Sequence, residues 1–181
     1  IADASFKTGT LHNDQMFLEA CIGNIILEGI YFYSAFLIFY VLKRNNKMPG
    51  SAEMIQFINR DEDMHLKLFI HISNTIKAEQ PELWTDEFQK QITQNVIDAV
   101  EMEYTWGASC IKEGILGLTP TDLKDYIQFT GDNRLKAIGL KPVWNSKNPF
   151  PWIDEFTQGN MIEVNFFEGT VREYQSGSLE W

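Results

Sequence analysis

Cysteine and positive charge are both scarce in this sequence of 181 residues. Its two cysteines, Cys21 and Cys110, are too few and too far apart for a disulfide framework or a thiolate metal site, which favours a reducing cytosol. Lysine and arginine number 15 against 25 aspartate and glutamate residues, and the formal net charge is −10. Nucleic acids and anionic membranes are bound by basic surfaces, so this charge argues against either as the main partner.

The remaining composition is ordinary for a soluble globular protein, with 44% hydrophobic and 22% charged residues. The length suits one domain with a sizeable core. No internal repeat and no signal peptide are evident. Because the numbering starts at Ile1 and not at methionine, we expect Ile1 not to be a natural translation start and the segment to be the end of something longer.

A long apolar run dominates the N-terminal part, from Met16 to Leu42, and Asn13 or Asp14 is the predicted helix cap before it. Its length raises the possibility of a transmembrane helix, since roughly 20 apolar residues span a bilayer. We favour the buried helix of a bundle, because Glu28 lies near the centre of the run and the rest of the chain is soluble in character. A buried carboxylate needs a partner, and for Glu28 that partner is either a metal ion or a salt bridge.

Three further helices are predicted by breaks, caps and periodicity. Pro49 and Gly50 interrupt the chain, and Ser51 is the predicted N-cap of a helix over 52–79. Thr85 opens the next helix, over 86–112, and Thr119 opens the last, which stops at Gly139. The sequence therefore predicts an all-α helical domain over 1–140, followed by an irregular segment over 141–181.

The chemistry centres on Glu62 and His65, which are three residues apart and share one face of the second predicted helix. Four-helix bundles that hold two metals use Glu-x-x-His on two helices and a lone Glu on each of the other two. The alternative is a solvated acidic face with an unrelated histidine. Helical spacing favours the first, because it puts both residues on the stripe expected to face the core: Met54, Phe57, Ile58, Asp61, Glu62, His65, Leu68, Phe69 and Ile72.

Two other acidic residues, Glu101 and Glu103, lie on the predicted third helix. Its inner face is predicted to carry Phe88, Ile92, Val96, Val100, Glu103 and Trp106. Neither glutamate has a partnered histidine, so surface or salt-bridge roles are favoured for both.

Several separated strings, in order, resemble the C-terminal half of the small, radical-generating subunit of ribonucleotide reductase. They are Leu27-Glu28-Gly29-Ile30-Tyr31-Phe32-Tyr33, Arg60-Asp61-Glu62 with His65, Gly139-Leu140, Asn148-Pro149-Phe150-Pro151-Trp152, Asn165-Phe166-Phe167-Glu168 and Glu173-Tyr174-Gln175. The resemblance covers nearly all the chain after about residue 14. It implies a ferritin-like helical bundle holding a dinuclear centre, either two irons or manganese and iron, that reacts with dioxygen and passes a one-electron oxidant to the large subunit.

The resemblance also implies residue roles. Glu28, Glu62 and His65 match metal ligands, a set that suits iron or manganese. Asp61 resembles the carboxylate that hydrogen-bonds a ligand histidine and joins the radical path. Tyr174 matches the tail tyrosine that relays the radical. Three further residues match the apolar pocket around the radical site, where core packing is the alternative: Phe32, Phe36 and Ile58. Glu168 matches a tail glutamate that is also needed for the relay.

The family site needs six ligands, and this chain supplies three. Neither His12 nor His71 has a glutamate three residues before it. We therefore expect the other half of the site to come from another polypeptide, from residues upstream of Ile1, or from a second copy in a symmetric homodimer. A homodimer of small subunits is also what the resemblance implies.

Three functions remain open on the sequence. The first is a component of ribonucleotide reductase in the cytoplasm, which helps convert ribonucleotides to deoxyribonucleotides. The second is a related dimetal oxidase that meets no large subunit, and the third is a non-catalytic helical scaffold with a decayed site. The C-terminal tail favours the first, because neither alternative has a use for Tyr174.

Overall fold

Residues 9–153 are described by the computed structural model, and within that range the chain forms five α-helices. Helix α1 spans Leu11–Gly29, α2 Tyr33–Arg44, α3 Pro49–Glu79, α4 Asp86–Ile111 and α5 Pro120–Ala137. A single 3-10 turn, Pro81–Leu83, joins α3 to α4. No strand interrupts the helices between residues 9 and 153, so the predicted all-α class is confirmed.

Capping explains where several helices begin and end. The Thr85 hydroxyl accepts the Phe88 N–H at the start of α4, and Thr119 and Asp122 form a reciprocal capping box at the start of α5. Both helices begin where they were predicted to begin. Gly139 follows α5 with a φ of +82°, a left-handed conformation that glycine adopts without strain.

Two predicted helix starts were wrong. Helix α1 begins at Leu11 with Thr10 as its N-cap, earlier than the predicted cap at Asn13 or Asp14. Helix α3 begins at Pro49 and not after Ser51, because proline at the first helical position needs no amide partner.

The long apolar run is two helices and not one. It breaks between Gly29 and Tyr33, where Phe32 has a φ of +77°. By length and composition the stretch Leu11–Arg44 could cross a membrane, with a mean hydropathy of 2.0 over its best window. Half of that window is buried inside the fold, and the core helix of a soluble protein passes the same test.

The core lies along α1 and α2 and has two parts. The first joins the start of α1 to α3, the 3-10 turn and the start of α4, and it includes Leu18, Ile22, Leu66 and Ile92. The second joins α2 to α4 and α5 and extends to Phe150 and Ile153. Residues up to 153 therefore pack with the helices, while the boundary between 140 and 141 stays a prediction.

The predicted core stripe of α3 is only partly correct. Within this chain the buried residues of α3 are Ala52, Leu66 and Ser73, on the side that faces α1 and α2. The stripe expected inside has its outer part exposed: Met54 40%, Ile58 44% and Leu68 54%. The helical periodicity identified an apolar face of α3, but it did not show which face is buried by the other helices of this chain.

Candidate metal centre

Three predicted ligands converge at the end of α1 and the middle of α3. One ligand atom from each of Glu28, Glu62 and His65 lies within 4.8 Å of the others. His65 Nδ1 lies 3.1 Å from Glu62 Oε2 and 3.9 Å from Glu28 Oε2. Helices α1 and α3 are therefore positioned so that Glu28 lies beside Glu62 and His65.

The electrostatics of this cluster favour a cation. A side-chain hydrogen bond with Glu62, followed by burial and repulsion from the Glu62 charge, raises the pKa of Glu28, against a lowering influence from His65. Two carboxylates this close need a shared proton or a positive ion between them. Two carboxylates and an imidazole form a donor set that suits iron or manganese, so the residues present fit such a metal.

Exposure differs across the cluster. The side chains of Glu28 and Glu62 are 17% and 20% exposed, whereas that of His65 is 54% exposed. His65 lies on the same exposed face of α3 as Ile58 and Leu68. The carboxylates thus face the body of this chain, and the imidazole lies at its outer edge.

Two side chains from distant helices contact the break that follows Gly29. Arg134 on α5 donates its Nε–H to the Gly29 carbonyl at 2.8 Å, and its guanidinium lies 5.2 Å from the centre of the Tyr33 ring. Glu103 on α4 accepts the Ser34 N–H at 2.8 Å. The Gly29 carbonyl at the end of α1 and the Ser34 amide at the start of α2 therefore have hydrogen-bond partners despite their burial.

Sequence reasoning missed both of these residues. Glu103 was expected at the surface or in a salt bridge, but it is 5% exposed and its carboxylate is hydrogen-bonded to Ser34 and Phe32. Its place on the predicted inner face of α4 was the available signal, since a carboxylate in a core needs donors. Trp106, expected on the same inner face, is instead 49% exposed.

The other predicted site residues are only partly brought together. Phe36 is buried and its ring centre lies 6.4 Å from that of Phe32, but Phe32 and Ile58 are exposed. Asp61 pairs with its neighbour Arg60 at 3.4 Å, and its role beside a histidine stays a prediction. Glu168 and Tyr174 lie outside the described residues.

A family model and curated relatives both match this chain to the small subunit of ribonucleotide reductase. The family model "Ribonucleotide reductase, small chain" matches residues 2–149. The chain is 43% identical over 183 aligned residues to the ribonucleoside-diphosphate reductase subunit beta of Chlamydia pneumoniae, covering 100% of this chain and 53% of that protein. Against the corresponding subunit of Treponema pallidum it is 37% identical, covering 89% and 47%.

Solved structures agree with the sequence matches. The ribonucleotide reductase R2 subunit from Clostridium botulinum superposes with a TM-score of 0.75 and 42% sequence identity, over 82% of this chain and 46% of that one. This likeness confirms the ferritin-like helical fold. In each of these comparisons the chain spans about half the length of its relative.

Proposed function

Because the chain belongs to the ribonucleotide reductase small-chain family, we propose that it supplies half of a dinuclear metal centre that serves ribonucleotide reduction. The observation that carries this proposal is the convergence of Glu28, Glu62 and His65 from two helices of a family member. Iron in both positions, or manganese and iron, are the metals we propose. When bound, the centre supplies one-electron oxidation driven by dioxygen.

The chain's own residues have distinct tasks in this function. Glu28 and Glu62 offer negative oxygens that replace the water around a metal ion, and their mutual repulsion falls when a cation lies between them. His65 offers one ring nitrogen as a ligand, and its exposed position leaves room for ligands from the other half of the site. We propose that Phe32, Phe36 and Ile58 form an apolar wall that keeps water from the oxidised site once the other half of the subunit covers Phe32 and Ile58.

The remaining ligands come, we propose, from a second polypeptide segment that covers the exposed face of α3. That face carries Met54, Ile58 and Leu68 beside His65, an apolar surface suited to being covered. The segment corresponds to the half of the curated relatives that this chain does not span. A symmetric homodimer of this chain is the other arrangement that would complete the site.

Radical relay to a large subunit is the second part of the proposal. Asp61 and Tyr174 carry it, and Glu168 with Tyr174 binds the large subunit through the tail. The family implies pairing with a large subunit and dimerisation, and we place the assembly in the cytoplasm.

Metal counting tests the half-site. The chain is purified alone and then together with a polypeptide that carries the other half, and bound iron and manganese are counted per chain. We expect two metals only in the combined sample, and two tightly bound metals per lone monomer would contradict the proposal. His65→Ala should abolish binding, whereas His71→Ala, at an exposed histidine of the same helix, should leave it unchanged.

A second experiment tests the relay. Tyr174→Phe removes the phenolic O–H but keeps the ring. We expect it to abolish ribonucleotide reduction by the complete enzyme and to leave the metal count at the wild-type value. Full activity in this variant would favour an oxidase or a scaffold over a reductase subunit.

A further inference from the structure

The interruption between α1 and α2 lies directly after the ligand Glu28. Residues 16–42 are mostly apolar and contain no proline, so a helix would be expected to continue through this point with Gly29 as its weakest position. Instead the chain leaves the helix at Gly29 and resumes at Tyr33, with Phe32 in a left-handed conformation. A left-handed conformation is strained for a residue with a bulky side chain and persists only when its surroundings enforce it.

Glu103 contacts the start of α2 at the break. Its carboxylate accepts the Ser34 N–H, and a backbone hydrogen bond from Phe32 also acts on it. Helix α2 has no side-chain cap of its own, since its N-cap residue is Phe32. A negative group here also complements the positive N-terminal end of the α2 dipole.

Arg134 contacts the end of α1 at the same break. Its guanidinium binds the last carbonyl of α1, at Gly29, and lies over the ring of Tyr33, the first residue of α2. A positive group at this carbonyl complements the negative C-terminal end of the α1 dipole. Gly29 leaves the space that the arginine occupies, because a Cβ there would lie 2.8 Å from Arg134 Nε.

We propose that Glu103 and Arg134 are positioning residues, which hold the break between α1 and α2 and thereby aim Glu28 at Glu62 and His65. The inference rests on the proposed metal function. Neither residue touches the ligand carboxylates in the described contacts, so each acts through the backbone on either side of the break. If either contact is lost, we expect α1 and α2 to relax toward a more regular helix, which turns Glu28 away from α3.

The test uses the complete small subunit, with this chain and the half that supplies the other ligands. Mn²⁺ and Co²⁺ are the probes, with Mn²⁺ affinity measured from the resonance of the free ion and Co²⁺ geometry from its visible absorption. The variants Glu103→Gln and Arg134→Lys keep size or charge but lose part of the contact. Matched controls are Glu101→Gln, at an exposed residue of α4, and Lys136→Gln, at an exposed residue of α5.

We expect both variants to bind Mn²⁺ about 10-fold more weakly, the low end of the loss seen when groups that orient metal ligands are mutated. We also expect both to alter the Co²⁺ spectrum. Both controls should bind as the wild type does. Glu103→Gln should also speed hydrogen exchange at the Ser34 amide by about tenfold, since a charge-assisted hydrogen bond is lost. This readout needs no metal and applies to any variant that folds.

Two outcomes would overturn the inference in different ways. If exchange at Ser34 rises while affinity and spectrum stay unchanged, Glu103 stabilises the fold but does not position Glu28. If neither measurement changes, the break does not depend on Glu103 or Arg134. A subunit in which His65→Ala leaves metal binding intact would instead refute the proposed function, and the inference with it.

Discussion

Replacing Gly107 by alanine should destabilise the chain, whereas the same replacement at Gly23 should stabilise it. Both glycines lie inside helices, Gly107 in α4 and Gly23 in α1. A Cβ at Gly107 would lie 2.6 Å from both Cβ and Oγ of Ser34 and 3.0 Å from Leu123 Cδ2. A Cβ at Gly23 would meet nothing within 4 Å.

The magnitudes follow from two opposing effects. Alanine in place of glycine stabilises a helix interior by about 0.5–1 kcal/mol, and this gain applies at both positions. Overpacking a tight core contact typically costs about 1–3 kcal/mol. Ser34 is fully buried and its Cβ is attached to the backbone of α2, so it cannot swing away as a long side chain would. The net expectation is a loss of about 1–2 kcal/mol for Gly107→Ala and a gain of about 0.5–1 kcal/mol for Gly23→Ala.

Urea denaturation of this chain, followed by circular dichroism at 222 nm, measures both changes in the free energy of unfolding. The denaturant slope should stay constant, so that the midpoint reports stability. A Ser34→Gly change in the Gly107→Ala background should recover part of the loss, since it removes the atoms that the new methyl group meets. Equal stability of the two alanine variants would refute the argument that α2 and α4 touch at Gly107.

Three further predictions follow from buried polar groups. Asp132 is fully buried and accepts the backbone N–H groups of Val143, Trp144 and Ser146 at 2.7–3.1 Å, so Asp132→Asn should lower the unfolding free energy by about 1.5–3 kcal/mol in the same assay. Burial raises the pKa of Tyr40 to about 12, and a folded state that keeps this proton loses stability as pH rises from 10.0 to about 12; Tyr40→Phe should lack that decline and one late step in the absorbance titration at 295 nm. Burial also raises the pKa of Glu103 above 4.5, so the folded state binds this proton more tightly than the unfolded chain does. The resulting stability is fully present below pH 4.5 and is lost as pH rises through the raised pKa, a decline that Glu103→Gln should remove. An unchanged pH dependence of stability in Tyr40→Phe or in Glu103→Gln would contradict the corresponding assignment.

Helix content was predictable because its signals are local. Thr85 and Thr119 each cap a helix through an amide three residues ahead, and Gly139 ends α5 through its own backbone freedom. The starts of α1 and α3 were placed a few residues late, because neighbouring polar residues offered competing caps. The identity of the cluster Glu28, Glu62 and His65 also came from local spacing together with the family resemblance.

The break at Phe32 was not predictable in the same way. The run from Met16 to Leu42 contains no proline, and Phe32, where the chain turns left-handed, is a bulky residue that rarely adopts this conformation. The side chains that contact the break, Glu103 and Arg134, are 69 and 105 residues away along the chain from their partners. Only packing of α4 and α5 against the junction brings them there.

The sequence by itself determined the class of fold, most helix boundaries and the kinds of side chain available to a metal, because these depend on capping, periodicity and residue chemistry within a few positions. The tertiary structure decided how those pieces combine. It brought Glu28 of α1 to within reach of Glu62 and His65 of α3, and it turned Glu103 from an expected surface charge into a buried partner of α2. It also showed that the outer face of α3 is exposed at Ile58 and Leu68 within this chain. The physical reason is that burial and convergence depend on which helix faces meet, and that is set by the summed packing of residues far apart in sequence.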